Sequence, residues 1–309
     1  FHDELRVQLM EEHITTIEKS MNEIIALGKA EPVTVAVGTF DGVHRGHHAV
    51  LEAAIATGLA PTAVTFDPHP RIALGNRVEL LTTLERRLEL FEEAGVETTL
   101  VAAFTPELQK MPPEQFVEHV LRSIGAEVVV AGSDFRFGVK RSGDLELLER
   151  LGLEIVVPSE VEGVSSTAIR AALRDGDVVS AARMLGRPFE LDGTVVAGDQ
   201  RGGTLGYPTA NLLLEPDLAC PRYGIYAGAA RGHRAAVSIG TNPHYGGVER
   251  RIEPYLLDFE GDLYGERLVV EIWERLRDEA AFESEEALVA QIARDVEATR
   301  RARRPGDDR

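Results

Sequence analysis

Between Val33 and Leu185 short apolar runs alternate with helical stretches, and beyond Gly186-Arg187-Pro188 that alternation stops. The runs Val33 to Val37, Pro61 to Phe66, Thr98 to Ala103, Glu127 to Ala131 and Glu154 to Val157 have the length and character of buried strands. Gly46 to Thr57, Thr82 to Ala94, Pro113 to Ile124 and Leu145 to Leu151 carry a helical period between them, and Ser166 to Arg174 and Val178 to Leu185 read as two closing helices. Such alternation has essentially one packed solution, a parallel sheet with helices on both faces, so this half is α/β. Past Pro188 the runs Phe189 to Val196, Ile225 to Ala230, Arg234 to Ile239, Ile252 to Phe259 and Arg267 to Leu276 are separated by turns rich in Gly, Pro, Asn and Asp. That texture predicts an antiparallel β-barrel or sandwich. A C-terminal helix from Ser284 to Arg300 follows, with Ser284 as N-cap and Glu285 and Glu286 in its first turn. The expected organisation is a helical extension over 1–30, with Leu9, His13, Ile17 and Ile24 roughly on one face, an α/β domain over 31–186 and a β-barrel domain over 187–309.

Charge narrows the partners. There are 51 acidic and 33 basic residues, a formal net charge of −18. So acidic a chain is not expected to bind nucleic acid or an anionic membrane non-specifically. An anionic small molecule in a locally basic pocket is still open to it. The lone Cys220 excludes an intrachain disulfide and any zinc-finger spacing. No apolar run reaches membrane-spanning length and no secretory pattern opens the residues, so the expectation is a cytoplasmic protein. Nothing in the pattern fixes an oligomeric state.

The segment Val37 to His47 reads VGTFDGVHRGH and passes from a strand into a helix. Ligands of open parallel sheets bind beyond the carboxyl ends of the strands. Gly38 and Gly42 allow a tight turn and close backbone approach. His44 and His47, three apart, share one side of a first helical turn, beside its free N–H groups and positive dipole end. That suits a phosphate chain. A zinc site is the rival reading, but no Cys or Glu lies at ligand spacing. Three further segments follow strands or open a helix: FDPHPR (Phe66 to Arg71), GSDFRFG (Gly132 to Gly138) and SSTAIR (Ser165 to Arg170). Taken singly, the first of these is a turn and the last a cap, with Ser166 and Thr167 as natural capping residues and Arg170 one turn on. Their placement after successive strands points to one shared phosphate site.

In the second half, DGTVVAGDQRGGTLGYPTAN (Asp192 to Asn211) runs from a strand into a glycine-rich loop. Gly202, Gly203 and Gly206 would let backbone N–H groups surround phosphate oxygens. Thr209 and Asn211 offer hard oxygen ligands suited to Mg²⁺. From spacing alone, a hairpin turn with no ligand is the simpler reading.

GTFDGVHRGH resembles the first motif of the nucleotidyltransferase superfamily with an HxGH signature. Together with FDPHPR, GSDFRFG and SSTAIR it resembles the adenylyltransferase half of bacterial bifunctional riboflavin kinase/FAD synthetases, over about Val33 to Leu185. GYPTAN resembles the PTAN motif of riboflavin kinases. RYGIYAG, VSIGTNP, RIEPYLLDF, GDLYG and LRDEAAF follow it in the expected order, over about Arg187 to Arg300. The resemblance implies a Rossmann-like nucleotidyltransferase domain followed by an antiparallel β-barrel riboflavin kinase domain with a C-terminal helix. It implies phosphorylation of riboflavin to FMN and adenylylation of FMN to FAD, with ATP as co-substrate and Mg²⁺ as cofactor. By the match, His44 and His47 hold the ATP phosphates and stabilise the departing pyrophosphate, with Gly38, Phe40 and Asp41 in the same nucleotide-binding motif. Ser166, Thr167 and Arg170 grip the β- and γ-phosphates, and Asp67 and Asp134 lie near the reacting groups or the ribose. Glu253, in RIEPYLLDF, matches the catalytic base of the kinase; read without the match it is an outward-facing strand residue. Gly202, Gly206, Thr209 and Asn211 hold the kinase nucleotide, the last two through Mg²⁺.

Two departures stand out: Pro243-His244-Tyr245 where relatives carry Pro-Thr-Phe, and Gly203 where Arg is common. They keep two alternatives open at this stage, an enzyme with only the adenylyltransferase active and a non-catalytic flavin-binding or storage protein.

Overall fold

The computed structural model describes residues 31–197, 207–244 and 247–306. The helical reading of residues 1–30 lies outside these. The chain divides into two compact units. One comprises the described residues up to Val78 together with Arg87–Glu162, and the other comprises Glu79–Arg86 together with the described residues from Gly163 onward.

The first unit holds a five-stranded parallel sheet of β1 (Val33–Val37), β2 (Ala60–Asp67), β3 (Thr98–Ala103), β4 (Ala126–Val130) and β5 (Glu154–Val156), in the order β3-β2-β1-β4-β5. Helices α1 (Arg45–Ile55), α2 (Leu84–Glu93) and α3 (Leu145–Arg150) lie in three of the crossovers, and the first three residues of α2 belong to the second unit. One core gathers Ala36, Phe40, Leu51, Leu90 and Phe91; another gathers Val35, Val64, Phe116, Leu121 and Leu148. Consecutive strand residues, such as Val35 and Ala36 or Val128 and Val129, fall in different cores. That is the consequence of a strand buried on both faces. The helix expected over Pro113 to Ile124 runs through with helical backbone angles at each junction, but its hydrogen-bond pattern changes from α (Pro113–Phe116) to π (Val117–Leu121) to 3₁₀ (Arg122–Ile124).

The strand order turns back at β1, which lies between β2 and β4. In such a sheet the crevice beyond the carboxyl ends of the two central strands is the ligand position. The loops after β1 and β4 carry Gly38 to His44 and Gly132 to Gly138 respectively.

The second unit is a six-stranded antiparallel sheet, ordered β10-β9-β8-β11-β6-β7. Its strands are β6 (Phe189–Val196), β7 (Asn211–Leu214), β8 (Gly224–Ala230), β9 (His233–His244), β10 (Gly247–Leu256) and β11 (Arg267–Arg277). The Ala210 N–H donates to the Pro254 carbonyl (3.0 Å), so the two edges meet and the sheet nearly closes into a barrel. Strand β7 has no counterpart in the sequence reading. Strand β10 starts and ends earlier than the run Ile252 to Phe259, because it pairs with β9 from Gly247, opposite His244, onward. Helices α4 (Ser166–Asp175) and α5 (Val178–Leu185) group with this unit, since Ile169, Leu173, Val178, Ala181 and Leu185 share one core with Leu191, Tyr226 and Val270. Helix α6 (Glu285–Arg301) begins as the sequence predicts, with Ser284 Oγ accepting from the Ala287 N–H.

Residues 79–86 join this unit by polar contacts. Leu80 exchanges backbone hydrogen bonds with the 217–219 segment, its N–H donating to the Asp217 carbonyl (2.6 Å) and its carbonyl accepting from the Ala219 N–H (2.7 Å). Thr83 donates to Asp192 (2.5 Å), and Arg86 forks onto Glu190 (both 2.9 Å). Asp192 is 6% exposed and also takes Nε and Nη2 of Arg267 (2.8 Å each). Removing it takes away the acceptor of two Arg267 bonds, leaving that guanidinium its bond to Glu85 (2.8 Å), and the acceptor of the Thr83 hydroxyl. Asp192→Ala is therefore expected to cost about 2–3 kcal/mol in urea unfolding, with no direct effect on either candidate site.

Candidate active sites

In the first unit the loop after β1 is tightly built. Phe40, Gly42 and Val43 all have positive φ (50°, 88° and 38°), and the Val43 N–H closes the turn onto the Phe40 carbonyl (3.0 Å). Only glycine adopts such angles freely, so burial of Phe40 and Val43 must hold the loop in place. A Cβ on Gly38 would press within 3.2 Å of the Phe40 ring. Phe40 meets His47 edge-on at 5.3 Å and Phe91 at 5.2 Å. Phe40 and Asp41 thus lie buried beneath the loop and support it from within.

His44 is the N-cap of α1. Its Nδ1 accepts from the His47 N–H (3.3 Å), so the neutral ring carries its proton on Nε2. The His44 and His47 rings stack at 3.6 Å with 15° between their planes. The glycine between them has a local reason: a Cβ on Gly46 would come within 3.2 Å of the His44 ring. The sequence spacing therefore delivers two parallel imidazoles at a helix N-terminus, where the dipole favours an anion.

Asp67 ends β2, and His69 caps the next helical turn, its Nδ1 accepting from the Arg71 N–H (3.1 Å). Asp134 is exposed in the turn after β4, beside Ser133, which donates to Glu160 (2.5 Å). Among the described residues no group of three or more His, Cys, Asp or Glu side chains is placed to hold a metal ion. The sequence reading did not find Arg87. It sits on the core-facing stripe of α2, three residues after Leu84 and four before Phe91, and is 1% exposed. A second arginine inside a helical apolar stripe was the available signal.

Ser166, Thr167 and Arg170 lie on α4, in the second unit. The N-cap of α4 is Ser165, whose extended backbone lets its Oγ accept from the Ala168 N–H (3.1 Å). Ser166 and Thr167 are thus not the capping residues the sequence suggests; they are the first two helical positions, and Thr167 is exposed. Arg170 is buried and its Nε donates to the Glu79 carbonyl (2.5 Å).

The barrel carries a cavity of about 340 Å³. Its polar wall includes Thr209, Ser238, Arg251 and Glu253, and its apolar wall includes Ile225, Phe282, Leu288 and Ile292. That volume lies in the range that takes small organic ligands. Glu253 pairs with Ser238 in the β10–β9 ladder, and Arg251, two residues away on the same strand face, holds it at 3.7 Å. The hydrogen bond from Ala210 to Pro254 brings Thr209 and Asn211 alongside Glu253, although more than 40 residues separate them. Helix α6 is fastened beside the cavity by Arg277, which forks onto Asp295 (2.7 to 3.1 Å), with Gln291 donating to the same carboxylate (2.9 Å). Arg277 also lies over the Phe282 ring at 5.8 Å. Asp295 and Ser238 had no place in the sequence reading. Gly202, Gly203, Gly206 and Tyr245 lie outside the described residues. His244 ends β9, paired with Gly247.

Comparison with known proteins gives these sites a common context. The family described as riboflavin kinase matches residues 185–303, and the family described as FAD synthetase matches residues 27–170. Curated proteins named bifunctional riboflavin kinase/FMN adenylyltransferase are similar along most of their length. The Listeria monocytogenes protein is 36% identical, covering 86% of this chain and 91% of that one. The Escherichia coli K12 protein is 35% identical with the same coverage, and the Pseudomonas fluorescens protein 36% with 88% and 94%. A crystal structure described as a macrolide-efflux protein from Streptococcus pneumoniae superimposes with a TM-score of 0.80 at 33% identity, covering 90% of this chain and 96% of that one. No helix among the described residues here is long and apolar enough to cross a membrane. The two family matches fall in the order of the two units' motifs, and full-length relatives carry both names: the chain belongs to the bifunctional riboflavin kinase/FMN adenylyltransferase family.

Proposed function

We propose that this chain makes FMN and then FAD at separate sites, phosphorylating riboflavin in the barrel and adenylylating FMN at the parallel sheet. The observation that carries the reading is the barrel cavity, where Glu253 and Thr209, from two different motifs, face one space beside an apolar wall. A flavin offers a flat, largely apolar ring system to such a wall and a terminal ribityl hydroxyl to such a carboxylate. Glu253 takes the proton of that hydroxyl as its oxygen bonds to the γ-phosphorus of ATP and the bond to ADP breaks. Arg251, 3.7 Å from the Glu253 carboxylate, helps to orient it.

Thr209 and Asn211 present a hydroxyl and an amide oxygen, a donor set that fits Mg²⁺ shared with a nucleotide. Bound there, the ion would neutralise charge on the ATP phosphates. Gly202 and Gly206 are assigned to the same nucleotide.

At the parallel sheet a phosphate oxygen of FMN bonds to the α-phosphorus of ATP and the bond to pyrophosphate breaks. The step needs positioning and charge neutralisation rather than a protein nucleophile. His44 and His47 are assigned to the phosphates and to the departing pyrophosphate, with Gly38 permitting the close approach and Phe40 and Asp41 supporting the loop. Ser166, Thr167 and Arg170 are assigned to the β- and γ-phosphates, and Asp67 and Asp134 to the surroundings of the reacting groups.

A chromatographic time course with purified protein, riboflavin, ATP and Mg²⁺ tests this. FMN should appear first and FAD after it, and a parallel reaction started from FMN should give FAD without a lag. Flavin bound but unchanged, with no ATP consumed, would sink the enzymatic reading.

A further inference from the structure

We propose that Arg87 is a positioning residue for adenylyl transfer: its buried guanidinium ties the loop that leads into His44 and His47 to the end of β2, where Asp67 lies, and sets the spacing between them. The proposal rests on the reading of His44 and His47 as phosphate-holding residues. Its geometric basis is a chain of hydrogen bonds across three elements. From α2, Nη1 of Arg87 donates to Thr65 Oγ1 (3.1 Å) and to the Phe66 carbonyl (3.4 Å) at the end of β2. The Thr65 hydroxyl donates in turn to the Thr39 carbonyl (3.2 Å), in the loop after β1. Thr39 is next to Phe40, which packs against His47, and Phe66 is next to Asp67.

Electrostatics agrees with the geometry. Burial pulls the Arg87 guanidinium below its ordinary range, and the carboxylates of Asp41 and Asp67, one from each loop, oppose that pull. An arginine this deeply buried is costly unless paired. Its neighbours Leu90 and Phe91 belong to an apolar core that another apolar side chain at 87 would simply extend. Every group named as acting on Arg87 instead lies at the carboxyl ends of β1 and β2, where the loops meet the candidate ligand crevice. The guanidinium has no assigned contact with a reacting atom, so its role is to position.

The test uses the full chain, with FAD formation from FMN and ATP as the readout and riboflavin phosphorylation as the internal control. Arg87→Met keeps length and bulk without the charge, and Arg87→Lys restores the charge. Arg87→Met should lower kcat for FAD formation about 100-fold, with KM for FMN within about threefold, because misplaced groups fail in the transition state rather than in binding. Arg87→Lys should recover about tenfold of that loss, and riboflavin phosphorylation should stay within about twofold in both. Equal losses in the two variants, or a Met variant within about threefold of the parent, would overturn the proposal. Should Arg87→Met fail to fold, Thr65→Val cuts the same link more gently and should lower kcat about fivefold; an unchanged rate overturns the proposal equally. His47→Ala separates the two levels. If it leaves FAD formation intact, the phosphate-holding reading fails and takes Arg87 with it. If it is impaired while Arg87→Met is not, only the role of Arg87 falls.

Discussion

Glu253→Gln should lower riboflavin phosphorylation by about 10²- to 10⁴-fold, the usual worth of a positioned general base. It should leave FAD formation from supplied FMN unchanged. The substitution keeps size and shape and removes only the charge. It also releases Arg251, whose Nη1 lies 3.7 Å from the carboxylate, but both side chains are about a quarter exposed, so the loss in stability is small. The effect should therefore appear in kcat rather than in KM for riboflavin, since the apolar wall of Ile225, Phe282, Leu288 and Ile292 is untouched. Initial rates from riboflavin and from FMN, measured on the same preparation, decide the matter. A variant that phosphorylates riboflavin at the parent rate would return Glu253 to an ordinary strand residue.

His47→Ala should have the opposite signature, lowering FAD formation about 10²- to 10³-fold while sparing riboflavin phosphorylation. His47 is the better choice of the pair. The cap of α1 uses the His47 backbone N–H and the His44 side chain, so it survives the change. What disappears is one of two stacked imidazoles and the edge contact with Phe40. Loss of both activities together would instead mean that the variant had unfolded, which thermal denaturation would show.

The two halves of the molecule were unequally legible in the sequence. The parallel strands were plain because a strand buried on both faces is a near-continuous apolar run, as in Val35 to Val37 and Val128 to Ala131. The four residues of β7 were not, since Asn211 to Leu214 follow directly on a loop and carry too few residues to show a period. The change of hydrogen-bond pattern within the helix Pro113 to Ile124 left no mark in the sequence, because Phe116, Val117, Val120 and Leu121 keep a helical spacing through the π segment. The capping residue of α4 was misplaced by one because three hydroxyl residues in a row compete for the role, and only backbone extension at Ser165 selects one. The histidine pair was visible as spacing, whereas its stacking depends on Gly46 having no side chain. Arg87 and Asp295 were invisible for a common reason. Pattern reading assigns charged residues on helices to solvent, and each of these is buried by a partner distant in sequence.

The route of residues 79–86 has a consequence for synthesis. Thr83 finds Asp192, and Arg86 finds Glu190, across 109 and 104 residues respectively. A ribosome adding about 5–20 residues per second needs about 5–20 s to produce those partners. Through that interval Leu80 and Leu81 are already made but have neither the 217–219 segment nor the barrel core to cover them. The nascent chain thus carries an early apolar segment whose shelter is made more than a hundred residues later, so slow translation beyond Gly186 prolongs the time in which that segment is open to chaperones or to self-association.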